Sequence, residues 1–325
     1  MSTYIEYYSN LRGKVDAHLN DVIDRHEPVS VYDPARYILS GGGKRIRPVL
    51  VLLSAEACGA RADDAIDAAV SVEILHNFTL VHDDIMDNAD QRRGRATVHK
   101  KWDSNTAILT GDNLIGIAYR TLLQTQSGDI RRLCSIFTDG MIEVCEGQGY
   151  DKEFEARDIV TEDEYFMMIG KKTGRLVSMS AELGAVIGDA AEASFEALSA
   201  YAHHIGRAFQ VQDDLLDVIA DEKDFGKSIG GDILEGKKTF LLVHAMGKAA
   251  ESDLELLKKV STRRAEEEDI PKVTDLYERL GIIEEARTRV RQDTDTALQR
   301  LGSIPETPAR DMLRWFAEML LQRTK

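Results

Sequence analysis

The sequence predicts an all-α protein, and three observations carry that expectation. Proline is scarce, 6 in 325 residues, and none falls between Pro48 and Pro271. A residue that breaks helix interiors and punctuates loops is therefore missing from most of the chain. Aromatic residues make up 6%, low for a β-rich protein, and apolar residues recur at helical spacing almost end to end. With 43% hydrophobic and 30% charged residues, the chain can build a sizeable core and is not disordered. No Gly/Ser/Pro linker divides it, so one domain is expected over 1–325, its core at about 35–245 and a C-terminal helical appendage at 250–325.

Helices are expected at 3–25, 34–40, 48–58, 63–88, 104–125, 128–148, 162–187, 191–220, 237–249, 253–260, 270–280, 283–301 and 308–323. Asp33-Pro34 and Thr307-Pro308 read as N-caps followed by a first-turn proline. Thr161 to Glu164 and Ser252 to Glu255 read as capping boxes. The stretch from Ala220 to Gly236, rich in glycine and acids, is the most irregular part of the core.

Charge and leader signals exclude several classes. Lys+Arg 41 against Asp+Glu 56 gives a net charge of −15, which argues against a nucleic-acid partner. No apolar run approaches the ~18 residues of a transmembrane segment. Met1 to Asn10 lacks the apolar core of a signal peptide. Cys58, Cys134 and Cys145 show no CxxC spacing and suit thiols in a reducing compartment, so a cytoplasmic location is expected.

The chemistry sits in two related acidic segments. Asp83 and Asp87 are four apart on an expected helix, so both carboxylates leave one face, with Asp84 about 100° round. Asp213, Asp214 and Asp217 repeat the arrangement after a second apolar helix. Aspartate is a poor helix former, and its charge is unfavourable at a helix C-terminus, so two such clusters call for a compensating cation. Oxygen-only ligands at this spacing suit Mg²⁺ completed by substrate phosphates. Zinc would want His or Cys, and a di-iron site would want two Glu-x-x-His motifs where only Glu73 and His76 have the spacing.

Basic clusters supply the complement. Gly41-Gly42-Gly43-Lys44-Arg45-Ile46-Arg47 combines close backbone approach with a guanidinium fork for phosphate. It is no nucleotide P-loop, because Arg45 stands where Ser or Thr is needed. Arg92 and Arg93 follow the first acidic motif, Lys171-Lys172-Thr173-Gly174 interrupts an amphipathic helix, and Lys227 and Lys237 flank the irregular stretch. Carboxylates, cations and apolar helices together imply a diphosphate ligand with an apolar tail, Mg²⁺ bridging the like charges.

These motifs, in this order, resemble the trans-isoprenyl diphosphate synthases of the polyprenyl synthetase family, over roughly residues 35 to 245. The resemblance implies an isoprenoid synthase helical bundle around a deep central cavity, usually a homodimer. It implies that isopentenyl diphosphate is held by Lys44, Arg47, His76 and Arg93, and the allylic diphosphate by Arg92, Lys172, Lys227 and Lys237. Asp83 and Asp87 would bind two Mg²⁺ and Asp213 with Asp217 a third, with Asp84 and Asp214 orienting. Thr173 and Gln210 would place oxygen dipoles near a developing allylic cation.

Product length should be set before the first motif. Phe78 lies about 7.5 Å up the helix from Asp83, next to Thr79, and can act as a floor for the growing tail. One aromatic at the fifth position before an uninserted motif is most similar to geranylgeranyl diphosphate (C20) synthases, with farnesyl diphosphate (C15) synthases next. A terpene cyclase would not need the Lys44/Arg47/His76/Arg93 set, and a non-catalytic subunit would be expected to have lost acidic residues that this chain keeps. A Mg²⁺-dependent phosphohydrolase would need no second substrate.

Overall fold

The computed structural model describes residues 2–219 and 230–321. The all-α expectation holds. The helices are α1 (Ser2–Asp21), α2 (Val29–Leu39), α3 (Ile46–Ala57), α4 (Ile66–Met86), α5 (Val98–Lys101), α6 (Ser104–Leu122), α7 (Ile130–Glu155), α8 (Glu162–Ile169), α9 (Arg175–Ile187), α10 (Glu192–Ile219), α11 (Gly231–Glu235), α12 (Phe240–Lys248), α13 (Glu251–Ser261), α14 (Ile270–Arg279), α15 (Ile282–Arg300) and α16 (Pro308–Leu321). Between α4 and α5 a two-residue hairpin pairs β1 (Gln91–Arg92) with β2 (Arg95–Ala96), in the register Arg92 to Arg95. Arg93 and Gly94 turn it with φ of 54° and 72°, the positive pair that a tight antiparallel turn requires. No described helix is long and apolar enough to cross a membrane.

The described residues fall into two compact units. One comprises Met1–Met141, Met179–Leu198 and Ser303–Leu313; the other comprises Ile142–Ser178, Ser199–Gly302 and Arg314–Lys325. In the first unit α3 and α4 are apolar nearly all round and form the centre, with Val49 to Leu53 completely buried. Gly184 of α9 packs directly on α3: a β-carbon there would lie 2.3 Å from the Val51 carbonyl oxygen. In the second unit, Val211 and Leu215 of α10 share one core with Tyr165, Phe240, Leu257, Val273, Leu276 and Ile282. The stretch after residue 250, expected as an appendage, thus builds the core beneath the second acidic motif.

Several expected boundaries move, each for a local reason. The helix expected from Pro34 starts at Val29, because the amides of Val31 and Tyr32 both bond the Pro28 carbonyl and open the turn earlier. Pro34 therefore sits inside α2, and Asp33 pairs with Arg36 at 2.6 Å instead of capping. The Ser252 capping box does not form. Ala250 precedes α13, and the Asp253 side chain reaches Arg279 at 2.8 Å. The Thr161–Glu164 box does form, with both reciprocal bonds. The single helix expected over 162–187 is interrupted at Gly170–Gly174 by a π-helical turn.

Candidate active site

The first unit carries a cationic well. Arg45, in a left-handed conformation at φ 54°, turns the chain into α3. Its buried guanidinium binds Glu73 at 2.5 Å and Asp16 at 2.8 Å. This arginine is a fastener, and the one after it is free for chemistry. Arg47 Nη1 lies 3.2 Å from His76 Nε2. A guanidinium only donates, so His76 accepts at Nε2 and carries its proton on Nδ1. Both Arg47 Nε and His76 Nδ1 are shut away from solvent without an acceptor. Burial lowers the proton affinity of Arg47, and the neighbouring positive charge of Arg93 lowers it further. Arg93 itself lies across Gly43, within 3.1 Å of where a β-carbon would stand, and donates to the Gly42 carbonyl. Lys44 is exposed at the same turn.

Burial first, then Arg47, Arg93 and Arg92, hold the His76 pKa well below 6.5, so the ring is neutral. The unfolded chain therefore binds this proton more readily. Stability is full above about pH 6.5 and is lost as the pH falls from there towards the folded pKa, by up to about 1.4 kcal/mol per pH unit. Melting curves between about pH 8 and about pH 5.5 should show a smaller drop for His76→Gln than for the unaltered chain; equal drops would place the sensitivity elsewhere.

The first acidic motif ends α4. Asp83 is half-buried, Asp87 is exposed, and Asp84 is turned inward. Arg92, from the hairpin, binds Asp84 at 2.7 Å and stands 4.0 Å from Asp83. Burial raises the Asp84 pKa against the pull of Arg92. Further up α4, Phe78 is 7% exposed and rests edge-on against His82, centroids 4.9 Å apart. His82 in turn fills the space over Gly111 of α6, where a β-carbon would lie 2.2 Å from its Nε2. Half-buried Thr79 bonds its own helix through the His76 carbonyl at 2.8 Å.

The second unit carries a different set. Two glycines let three helical segments close up. A β-carbon at Gly147 of α7 would lie 2.2 Å from the Lys172 amide nitrogen, and one at Gly206 of α10 would lie 2.8 Å from Gly174 Cα. Lys172 and Thr173 are thereby presented on the π turn, a feature frequent at functional sites. Lys172 Nζ binds Asp151 at 2.6 Å. Thr173 donates to Gln210 Oε1 at 2.8 Å, and Gln210 Nε2 donates to Asp214 Oδ1 at 2.9 Å. Asp214 Oδ2 accepts the Tyr165 hydroxyl at 2.7 Å and the Phe240 amide at 2.9 Å. Burial, then Asp232, push Asp214 up to about 7, against those three donors. Asp213 is exposed, and buried Asp217 accepts the Asp232 amide at 3.0 Å. Lys237 binds Glu235 at 2.8 Å and Asp232 at 3.1 Å. Burial opposes its charge, yet those carboxylates hold it above the usual lysine range. Lys227 lies outside the described residues.

The expected residues therefore gather into Arg47–His76–Arg93 and Asp83–Asp84–Arg92 in one unit, and Thr173–Gln210–Asp214 in the other. Sequence reading missed Asp151, Asp232 and Tyr165, which sit in no motif of their own. Among the described residues no three His, Cys, Asp or Glu side chains form a ready-made metal cage. Asp83, Asp87, Asp213 and Asp217 supply oxygen atoms of the kind Mg²⁺ takes together with waters and phosphate.

Comparison with known proteins bears on what such a set does. The profile of the family described as polyprenyl synthetase matches residues 28–279. The geranylgeranyl pyrophosphate synthase of Geoglobus acetivorans is 42% identical over 95% of this chain and 96% of its own. The geranylgeranyl diphosphate synthase of Methanosarcina mazei is 35% identical over 99% of each. The crystal structure of the geranylgeranyl pyrophosphate synthetase from Pyrococcus horikoshii superposes with a TM-score of 0.93 at 37% identity, covering 99% of both chains.

Proposed function

Because the chain belongs to the polyprenyl synthetase family and is a prenyltransferase, we propose that it joins isopentenyl diphosphate head-to-tail to an allylic diphosphate and stops at C20 geranylgeranyl diphosphate. The observation that carries this reading is the pair of buried donors without acceptors, Arg47 Nε and His76 Nδ1. Donors held out of water beside a guanidinium are built for an anion. Arg47, His76, Arg93 and Lys44 bind the diphosphate of isopentenyl diphosphate. Arg92, Lys172, Lys237 and Lys227 bind the allylic diphosphate.

Asp83, Asp87, Asp213 and Asp217 would hold Mg²⁺, three ions in all, with Asp84 and Asp214 orienting. When bound, Mg²⁺ neutralises the diphosphate and eases its departure. Lys172 and Lys237 leave their carboxylate partners for phosphate oxygens and stabilise the same charge. Thr173 and Gln210 turn oxygen towards the allylic carbon as it becomes positive. The apolar helices exclude water that would quench the cation. The proton lost from isopentenyl carbon goes to the released diphosphate, since no side chain is required as base.

Phe78 sets the length. It stands about 7.5 Å behind Asp83 along α4, and its backing by His82 wedged at Gly111 keeps it from swinging aside. Labelled isopentenyl diphosphate with Mg²⁺ and dimethylallyl, geranyl or farnesyl diphosphate, with products resolved by length, tests the reading. A C20 product is expected. C15 would make the chain a farnesyl diphosphate synthase, and no incorporation with any primer would leave a non-catalytic subunit of a hetero-oligomeric synthase. Phe78→Ala should lengthen the product by one or more isoprene units; an unchanged distribution would put the floor elsewhere. A homodimer and a cytoplasmic location complete the proposal, the first checked by sedimentation of the purified chain.

A further inference from the structure

We propose that Tyr165 is a positioning residue that fixes the hydrogen-bond polarity of Thr173, through Asp214 and Gln210. The inference rests on the prenyl-transfer reading of Thr173 and Gln210 and goes beyond it to a residue outside every motif.

A glutamine amide can sit in two orientations of nearly equal shape and opposite polarity, and its neighbours decide which. Here the decision runs inward from α8. The Tyr165 hydroxyl, on a side chain 1% exposed, donates to Asp214 Oδ2 at 2.7 Å, and the Phe240 amide donates to the same oxygen at 2.9 Å. With Oδ2 engaged by both donors, Asp214 cannot rotate, and Oδ1 is held towards Gln210. While Asp214 is ionised its oxygens only accept, so the Gln210 NH₂ faces Oδ1, as it does at 2.9 Å. Gln210 Oε1 is then left for Thr173, whose single hydroxyl proton is spent on it at 2.8 Å. The remaining face of Thr173 Oγ1 carries only lone pairs. Flip Gln210, and the amide would donate to Thr173 and release that proton outwards, the wrong sign beside a carbon gaining positive charge. The phenol thus acts through two intermediate side chains and touches no substrate.

Tyr165→Phe keeps the ring and its packing against Phe166 and Phe240, and removes the donor alone. With isopentenyl and allylic diphosphates and Mg²⁺, kcat should fall about tenfold, the effect of one buried charge-assisted hydrogen bond. KM for both substrates should stay within about twofold, because ground-state binding is untouched. In a Gln210→Ala background the same substitution should have no further effect on kcat. An unchanged kcat in the single variant, or effects that multiply in the double, would overturn the proposal. A second measurement needs no variant. In metal-free protein labelled with nitrogen-15 glutamine, the Gln210 side-chain amide should show protons protected from exchange; a freely exchanging Gln210 amide would overturn the lock. If the unaltered chain incorporates no isopentenyl carbon, the transferase reading fails, and the amide measurement still decides the geometry.

Discussion

Arg45→Met is expected to cost about 3–5 kcal/mol of folding stability, the usual loss when one partner of a buried ion pair is removed. Arg45 and Glu73 have side chains each 3% exposed, and their charges meet at 2.5 Å. Methionine fills much of the same volume, so the loss comes from the uncompensated Glu73 carboxylate. The second partner, Asp16, is 37% exposed and can turn to water, so it adds little. Backbone strain cancels in the comparison, because both residues would occupy the same left-handed conformation at position 45. The double variant Arg45→Met, Glu73→Leu should recover most of the loss, since replacing a whole buried pair with apolar groups is often neutral. Urea unfolding of the three proteins measures this. A single-variant loss below about 1 kcal/mol would mean that the pair behaves as an exposed one.

Arg47→Ala should have the largest effect on activity. Losing one hydrogen bond to a bound charged group costs about 1.5–3 kcal/mol, about 10–10²-fold in affinity, and Arg47 Nε is shut away from water without an acceptor. kcat/KM for isopentenyl diphosphate should fall by about that factor, through KM more than kcat, with the allylic KM nearly unchanged. Arg47→Lys should rescue little, because an ammonium lacks the planar fork. His76 supplies an internal check. With the Arg47 charge gone, one of the repulsions that depress its pKa is removed, and its titration, followed by NMR, should move up. Loss of activity without that movement would show that the two side chains do not act as a pair.

Much of this was legible in the sequence because it depends on spacing. Asp83 and Asp87 had to share a face once the helix was granted, and the proline-free interior granted it. The Thr161 box formed because its partners are local. What was not legible depends on contacts between distant segments. Asp33-Pro34 has the pattern of a cap, but the Pro28 carbonyl opens the helix first by accepting from Val31 and Tyr32. The motif singles out Arg47 as a phosphate fork, but nothing local shows that Arg45 is held by Glu73 and Asp16, 28 and 29 residues away. Tyr165 stands 49 residues from Asp214 and carries no motif, so only the folded core brings its hydroxyl to that carboxylate.

The π turn at Gly170–Gly174 has a consequence for how this chain can change length. Such a turn holds one residue more than an α turn, so it is in effect an insertion that the helix has absorbed. Deleting one residue elsewhere in α8 or α9 would rotate every side chain beyond it by about 100° and turn buried faces outwards. Deleting one within the π turn would leave a regular helix with both flanks still in phase. The lineage can therefore shed a residue there at little cost to folding, and would lose by that step the presentation of Lys172 and Thr173. On the roles proposed for Lys172 and Thr173, a relative with an unbroken helix at this place would keep its fold and lose activity, so fold and chemistry can part company at a single indel.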